Sequence, residues 1–253
     1  MKKSFQLVYT SDAMPGYRRK RWGRGFTYLN EKHEHIKQKK ILHRIKELAI
    51  PPAYQSVWIS PISNGHLQAT GIDDKNRKQY IYHVLWRDLK NHQKFDKLPE
   101  FIKALPLIRK QAKKDLTLKK LCKSKVLAAL VLLIDETYAR VGHTRYTRKN
   151  NSYGLTTLQK KHVNFKNDTI ILSYRGKNLT DRTLSSKNNE LIKVIKSCED
   201  LRGYRLFQYI DEENKPQPVD AHDLNQYLRS CMNGESCTVK DFRTFAACYE
   251  TFK

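Results

Sequence analysis

The chain has 253 residues, which is enough for one large domain or two ordinary domains with buried cores. Its 49 Lys and Arg outnumber 25 Asp and Glu, so the formal net charge is +24. That excess is far beyond what solubility favours and predicts a polyanionic partner, either nucleic acid or an anionic membrane surface. The 14 tyrosines lie among the basic residues and favour nucleic acid, because tyrosine packs on sugars and bases.

The sequence has no feature of export or membrane insertion. No segment approaches the roughly 20 apolar residues of a membrane span, and the N-terminal apolar run is too short for a signal peptide. The 5 cysteines are an odd number without paired spacing, which argues against a disulfide framework and against a zinc site. We therefore expect a cytoplasmic protein with free thiols and no membrane partner.

Strand patterns dominate residues 1–90, which predicts a small antiparallel β-rich N-terminal domain. One helix is expected near Glu34–Leu48, before Pro51 and Pro52. In the last predicted hairpin, alternation places Gln79 and Ile81 on one face and Tyr80 and Tyr82 on the other. The predicted strands are Phe5–Tyr9, Phe26–Leu29, Val57–Ser60, His66–Thr70 and Gln79–His83.

The pattern becomes helical from Trp86, which predicts a mainly α-helical domain over residues 91–253 with an inserted β-meander, an α+β chain overall. The predicted helices are Phe101–Leu116, Lys123–Arg140, Asn188–Glu199, Ala221–Met232 and one that begins after Thr238. The predicted meander strands are His162–Phe165, Thr169–Tyr174 and Leu179–Leu184.

Three cations occupy distinctive places in this second domain. Val126–Ile134 is apolar on all sides, so its helix should be surrounded by protein, with Arg140 in its last turn before a stop at Gly142. Lys177 falls at a hairpin tip. Arg243 lies in the early turns of the last helix, whose buried face is predicted to contain Phe242, Phe245, Ala246 and Tyr249.

Arg140, Lys177 and Arg243 could together act on a phosphodiester. Two guanidiniums can hold the non-bridging oxygens through bidentate hydrogen bonds, and a lysine on a hairpin tip can protonate the departing sugar oxygen. Taken singly, each residue also fits an ordinary role: a helix-end cation, a turn lysine and a capping or surface arginine.

Three segments of the C-terminal half resemble successive motifs of the type IB DNA topoisomerases, in their bacterial and poxvirus-like branch. These are RVGHTRYTRKNNSYGLTTL (140–158), YRGKN (174–178) and KDFRTFAA (240–247). The N-terminal half is similar to the amino-terminal domain of the bacterial enzymes through MPGYRRKRWGRGFTYL (14–29), RIKELAIPPAY (44–54) and GHLQATGIDDKNRKQYIYH (65–83).

The resemblance implies that Arg140, Lys177 and Arg243 act on the scissile phosphate. It also implies relaxation of supercoiled duplex DNA through a 3′-phosphotyrosyl intermediate, swivelling and religation without ATP, metal or cofactor. The family's nucleophilic tyrosine lies in a helical segment well beyond the second arginine, and ten residues follow Arg243. We therefore expect this chain to lack the nucleophile, since Tyr249 is predicted to be core.

The resemblance also implies a monomer that clamps double-stranded DNA. Its candidate DNA-binding residues are Lys78, Gln79, Tyr80, Tyr82, His143 and Tyr146, although an ordinary half-exposed strand remains an alternative for the first four. A cationic run is suited to phosphate contacts, and Trp22, Trp58 and Trp86 are predicted to be core. The run comprises Arg18, Arg19, Lys20, Arg21 and Arg24.

Two further functions remain open. One is a DNA-binding clamp without cleavage. The other is a strand transferase similar to the tyrosine recombinases, which share the Arg-Lys-Arg chemistry; the N-terminal motifs argue against it, because recombinases usually carry a helical module there.

Overall fold

The computed structural model describes residues 6–232 and 237–252, without the side chain of Lys94. The chain divides into two compact units, Met1–Gln93 and Lys94–Lys253. Antiparallel sheets and helices together give the α+β class that the sequence predicts. Within the described ranges, no helix is both long enough and apolar enough to cross a bilayer.

The N-terminal unit is built on a five-stranded antiparallel sheet in the order β2-β1-β3-β4-β5. Helix α1 (Lys39–Glu47) contributes Ile45 to a small core with Val57, Ile59 and Ala69. The strands are β1 (Tyr17–Trp22), β2 (Gly25–Leu29), β3 (Gln55–Ile59), β4 (Leu67–Ile72) and β5 (Lys78–Tyr82). Four of the five predicted strands are therefore confirmed within one or two residues at each end.

Strand β1 is the element that the sequence did not predict. Its sequence YRRKRW has no apolar alternation, yet it pairs with β2 from Arg18 to Trp22 and with β3 at Tyr17 and Arg18. Arg19 turns inward, donates to the carbonyls of Ile50 and Pro51 at 3.1 and 3.0 Å, and lies 4.1 Å from the ring centre of Phe26. Arg19 thus occupies the inward-facing position at which the alternation of a half-buried strand would place an apolar side chain.

Two other predictions for this unit were wrong in extent. The segment Phe5–Tyr9 forms no strand among its described residues, and Val8 makes a single bridge to Gly65; Phe5 lies outside the described residues. Helix α1 begins at Lys39 rather than near Glu34, because the preceding chain extends the β1–β2 hairpin and the amide of Ile36 donates to the Tyr28 carbonyl at 2.9 Å.

The C-terminal unit surrounds one buried helix. Every residue of Val126–Ile134 in α4 is buried, as predicted, and α4 packs against α3, α6, α7 and α8. The helices are α2 (Val84–Asp96), which spans the border between the units, α3 (Leu98–Leu116), α4 (Lys123–Thr137), α5 (Thr144–Asn150), α6 (Asn189–Glu199), α7 (Ala221–Ser230) and α8 (Val239–Phe252).

The predicted β-meander is confirmed, with its strands displaced by one or two residues. It forms an antiparallel sheet in the order β6-β7-β8, and a small two-stranded ribbon follows. The strands are β6 (Val163–Lys166), β7 (Thr169–Arg175), β8 (Asp181–Ser186), β9 (Gln208–Ile210) and β10 (Pro216–Pro218). Leu172 and Ile170 of β7 are buried, so the meander presents one face to the core of this unit.

The end of α4 differs from the prediction. The helix ends at Thr137, where Tyr138 adopts left-handed geometry with φ 52° and its amide donates to the Ile134 carbonyl at 2.7 Å. Arg140 is therefore not in the last helical turn but in the irregular segment that follows, and Gly142 is not the helix stop.

Candidate active site and nucleic-acid interface

Arg140 lies on a backbone segment that the following loop holds in place. The amide of Leu155 donates to the Arg140 carbonyl at 2.9 Å, and the amide of Thr156 donates to the Val141 carbonyl at 2.7 Å. Gly142 and Gly154 cross so closely that a Cβ on Gly154 would lie 2.4 Å from the Gly142 nitrogen. The two glycines therefore allow the contact that fixes the backbone of Arg140, whose side chain is exposed.

Arg243 is fixed by the first turns of α8. The amide of Thr238 donates to the Asp241 carboxylate at 2.7 Å, which caps the start of this helix. Phe242 is completely buried and packs edge-to-face on Phe101 with ring centres 4.9 Å apart. These contacts set the rotation of α8, and so they set the direction in which the half-buried Arg243 leaves it.

One hydrogen bond connects the two arginine segments. The Nη1 group of Arg243 donates to the carbonyl of Tyr138, the left-handed residue that ends α4 and lies two positions before Arg140. Residues separated by more than one hundred positions in sequence are thus neighbours. The structure therefore brings together Arg140 and Arg243, as the predicted phosphate chemistry requires.

Lys177 occupies the tip of the β7–β8 hairpin, as predicted. It begins a short 3₁₀ turn, Lys177–Leu179, which the bond from the Gly176 amide to the Thr180 carbonyl closes at 2.8 Å. Its side chain is exposed. The hairpin connects Lys177 to the arginine pair through Tyr174, three residues earlier in β7.

The hydroxyl of Tyr174 is within electrostatic range of three guanidinium groups. Burial raises the pKa of its hydroxyl, and the positive charges of Arg182, Arg140 and Arg243 oppose that rise. Burial also lowers the pKa of Arg243, and the charges of Arg140 and Arg182 lower it further. The site thus concentrates positive charge that a bound anion would stabilise.

Arg140, Arg182 and Arg243 form an arginine cluster. Arg182 is the member of this cluster that the sequence did not predict. It lies in β8 directly opposite Tyr174 of β7. The signal that could have found it is the strand register, because directly opposed residues of an antiparallel pair share one face of the sheet.

Tyr249 is not a core residue, contrary to the prediction. Its side chain is 50% exposed, and its ring stacks on the half-buried Phe245 with centres 5.9 Å apart. It follows Arg243 by six residues in α8, which places it about 9 Å along the helix axis and about 120° around it. Tyr249 is therefore exposed, but it projects from α8 in a different direction from Arg243, a member of the arginine cluster.

The polar residues of β5 already have partners within the N-terminal unit. Lys78 forms an ion pair with Asp12, and the Gln79 amide donates to the Asp73 carboxylate at 2.8 Å. Tyr80 and Tyr82 are exposed on the face opposite Gln79, which Lys78 shares, and their stacked rings have centres 6.1 Å apart. The predicted alternation of faces along this strand is confirmed, and its accessible groups are mainly aromatic.

His143 and Tyr146 lie at the start of α5. The Nδ1 atom of His143 accepts from the amide of Arg145 at 3.1 Å, so His143 caps this helix. The His143 and Tyr146 rings contact edge-to-face with centres 6.0 Å apart, and Tyr146 is exposed. Tyr146 is therefore free to contact a ligand, whereas one nitrogen of His143 is occupied.

Two predictions for the N-terminal cations and tryptophans need correction. Arg19 is engaged with backbone carbonyls, so it is a structural residue rather than a phosphate contact. Trp22 is 66% exposed at the end of β1, whereas Trp58 is 1% exposed and is core as predicted. Trp86 is half-buried. Trp22 is exposed because β1 ends there at a tight hairpin turn.

Two family models match parts of this chain. The family model described as the catalytic core of eukaryotic DNA topoisomerase I matches residues 83–253. The model for the N-terminal domain of bacterial DNA topoisomerase IB matches residues 25–73. The chain belongs to the type IB DNA topoisomerase family.

Individual relatives give the same assignment. DNA topoisomerase 1B of Acanthamoeba polyphaga mimivirus is 36% identical over 235 residues, which is 91% of this chain and 69% of that protein. DNA topoisomerase 1B of vaccinia virus (strain Copenhagen) is 24% identical, over 87% of this chain and 65% of that protein. The chain thus spans about two thirds of the length of these relatives.

A solved structure of the XerH site-specific recombinase bound to difH has a TM-score of 0.38 and 12% identity, and the match covers 60% of this chain and 42% of that chain. A likeness of this size does not bear on the assignment.

Proposed function

We propose that this chain provides the DNA-binding and phosphate-binding parts of a type IB DNA topoisomerase that relaxes supercoiled duplex DNA without ATP. The observation that supports the proposal is the hydrogen bond from Arg243 to the Tyr138 carbonyl, because it holds Arg243 beside the segment that carries Arg140. Both arginines lie in the region that matches the family's catalytic core.

In the proposed reaction, a tyrosine hydroxyl loses its proton to water and its oxygen attacks the phosphorus of one strand. The new bond joins tyrosine to a 3′ phosphate, and the bond from phosphorus to the 5′ oxygen breaks. Arg140 and Arg243 bind the non-bridging oxygens and stabilise the charge that develops on them. Lys177 gives its proton to the departing 5′ oxygen. Resealing is the reverse reaction, and the covalent intermediate conserves the bond energy in between.

The proposal assigns the nucleophilic role to none of the tyrosines that the structure describes. Tyr174 is the tyrosine that the arginines surround, but burial raises the pKa of its hydroxyl and limits its access to a DNA strand. Tyr249 projects from α8 about 120° away from Arg243. We therefore expect this 253-residue chain alone to bind DNA without forming a covalent adduct.

The proposed DNA-binding residues differ in whether their side chains are exposed or already have hydrogen-bond or ion-pair partners within the protein. Tyr80, Tyr82 and Tyr146 are exposed and can pack against sugars or bases. Lys78 and Gln79 must exchange their carboxylate partners for DNA groups, while His143 caps α5 and offers its second nitrogen. The partner in this proposal is double-stranded DNA, bound by a cytoplasmic monomer.

A chimera tests the proposal. The C-terminal segment of mimivirus DNA topoisomerase 1B that lies beyond its match to this chain would be joined to residue 253, and supercoiled plasmid would be incubated with the chimera in EDTA without ATP. We expect relaxation, which should disappear when the added nucleophilic tyrosine is changed to phenylalanine. A requirement for ATP or magnesium would contradict the proposal.

A DNA-binding protein without cleavage is the second candidate. It is favoured by the net charge of +24 and by the lack of a tyrosine suited to attack among the described residues. A folded chimera that binds plasmid but forms no adduct on a denaturing gel would favour this candidate over the topoisomerase.

A further inference from the structure

Arg182 shares a sheet face with Tyr174, the residue opposite it on β7. Its stem lies against Gly176, where an added Cβ would be 3.1 Å from the Arg182 Cγ, so Arg182 is also next to the residue that precedes Lys177. Arg175 and Asp181 form the neighbouring cross-strand pair and point to the opposite face. Arg182 and Arg175 are therefore two exposed arginines of one hairpin that differ in the face they occupy.

The charges of the arginine cluster are not compensated by acids. Arg140, Arg182 and Arg243 have no ion pair with a carboxylate in the ranges 6–232 and 237–252. Arg175 has no ion pair in those ranges either, but its directly opposed cross-strand neighbour is Asp181, whereas that of Arg182 is the uncharged Tyr174. The face of the hairpin that carries Arg182 is thus the face where uncompensated positive charge is available to bind an anion.

The number of guanidiniums exceeds what one phosphodiester needs. A phosphodiester has two non-bridging oxygens and a single negative charge, and the proposed reaction already gives these oxygens to Arg140 and Arg243. A third guanidinium beside them brings more positive charge than the single negative charge of that phosphate can balance. The next phosphate along the strand carries the next available charge.

We propose that Arg182 binds a DNA phosphate that flanks the scissile one and thereby holds the strand in place under the Lys177 hairpin tip. The inference rests on the proposed function and adds a ground-state binding residue to it. Arg182 makes its contact before, during and after cleavage, so it contributes to affinity. Arg140 acts on the reacting phosphate itself.

The test is the salt dependence of duplex binding by the 253-residue chain, measured by fluorescence anisotropy between about 50 and 200 mM salt. Arg182→Gln keeps most of the stem that packs on Gly176 and removes the charge. We expect about tenfold weaker binding at low salt, and a slope of log affinity against log salt reduced by about 0.9, the value for one lost phosphate contact. Arg182→Lys should retain the slope.

Arg175→Gln is the matched control, because it removes the same charge from the opposite face of the same hairpin. It should change the affinity less than twofold on this proposal. Equal losses in Arg175→Gln and Arg182→Gln would overturn the inference, since general charge would then explain both. Thermal unfolding followed by circular dichroism would confirm that each variant is folded.

Two other results separate the inference from the proposed function. Unchanged binding by Arg182→Gln, with normal binding by the unsubstituted chain, would overturn the flanking-phosphate role alone. Absence of salt-dependent duplex binding by the unsubstituted chain would overturn the proposed function as well. If Arg182→Gln does not fold, Arg182→Lys provides the test in its place. Because lysine keeps the charge, a reduced slope of log affinity against log salt in Arg182→Lys would also contradict the inference.

Discussion

Strand β5 and the arginine cluster use positive charge in opposite ways. In β5, Lys78 is paired with Asp12 and the groups left exposed are the rings of Tyr80 and Tyr82. In the cluster, burial and then the charges of Arg140 and Arg182 lower the pKa of Arg243, and no described carboxylate pairs with these arginines. Satisfied charges suit docking, whereas fixed and uncompensated charges suit stabilisation of a transition state.

The largest expected effect comes from the cluster. Arg243→Ala in the tyrosine-bearing chimera should slow strand cleavage by about 10²–10³-fold, because one preorganised donor to the phosphate oxygens is lost. Duplex affinity should change little, and single-turnover cleavage with parallel binding measurements would separate the two. A variant with normal cleavage would remove Arg243 from the chemistry and leave it a structural partner of Tyr138.

Gly154→Ala tests whether the backbone of Arg140 must be held. An added Cβ would lie 2.6 Å from the Arg140 carbonyl oxygen and 2.4 Å from the Gly142 nitrogen, so the loop must move. We expect a loss of about 1–3 kcal/mol in the free energy of unfolding, together with slower cleavage. Urea denaturation measures the first. Gly25→Ala is the control, because its nearest atom would be 3.9 Å away.

Changes in β5 should alter binding and leave the chemistry intact. Tyr80→Ala should weaken duplex binding by about tenfold if its ring stacks on a base or sugar, because each such contact contributes about 1–3 kcal/mol. Single-turnover cleavage at saturating DNA should be unchanged. A slower cleavage step at saturation would show that the two regions are not divided in this way.

The smallest expected effect concerns acid stability of the N-terminal unit. The Arg77 guanidinium holds the pKa of Asp73 at about 2, below its ordinary value of 3.8. Because the folded-state pKa is depressed, the stabilisation is fully present above about pH 3.8 and is lost as the pH falls towards about 2. Asp73→Asn should remove this dependence, which thermal unfolding across that pH range would show.

Much of the fold follows from the pattern of apolar residues. The all-apolar run of α4 predicts its burial, and alternation predicts the meander that carries Lys177. Strand β1 could not be predicted in this way, because Arg19 is inward and satisfied by the carbonyls of Ile50 and Pro51, which a residue pattern does not reveal.

Motifs carried the prediction of the candidate site. Arg140 and Arg243 were predicted from the sequence as phosphate-binding residues, which stays a prediction, and the structure adds the bond at Tyr138 that makes their segments neighbours. The end of α4 was missed because Tyr138 takes a left-handed geometry beside a residue 105 positions away. Arg182 was missed because its meaning depends on the register between two strands.

The carbonyl of Tyr138 lies at the end of α4, the most buried helix, so the position of α4 determines where Arg243 lies relative to the segment of Arg140. Side chains on every face of α4 from Val126 to Ile134 are packed, so its end can shift only if the core of the unit shifts too. Arg243 attaches at that end. Removal of a methyl group deep in the core, far from any DNA, would therefore change the distance between the guanidiniums of Arg140 and Arg243.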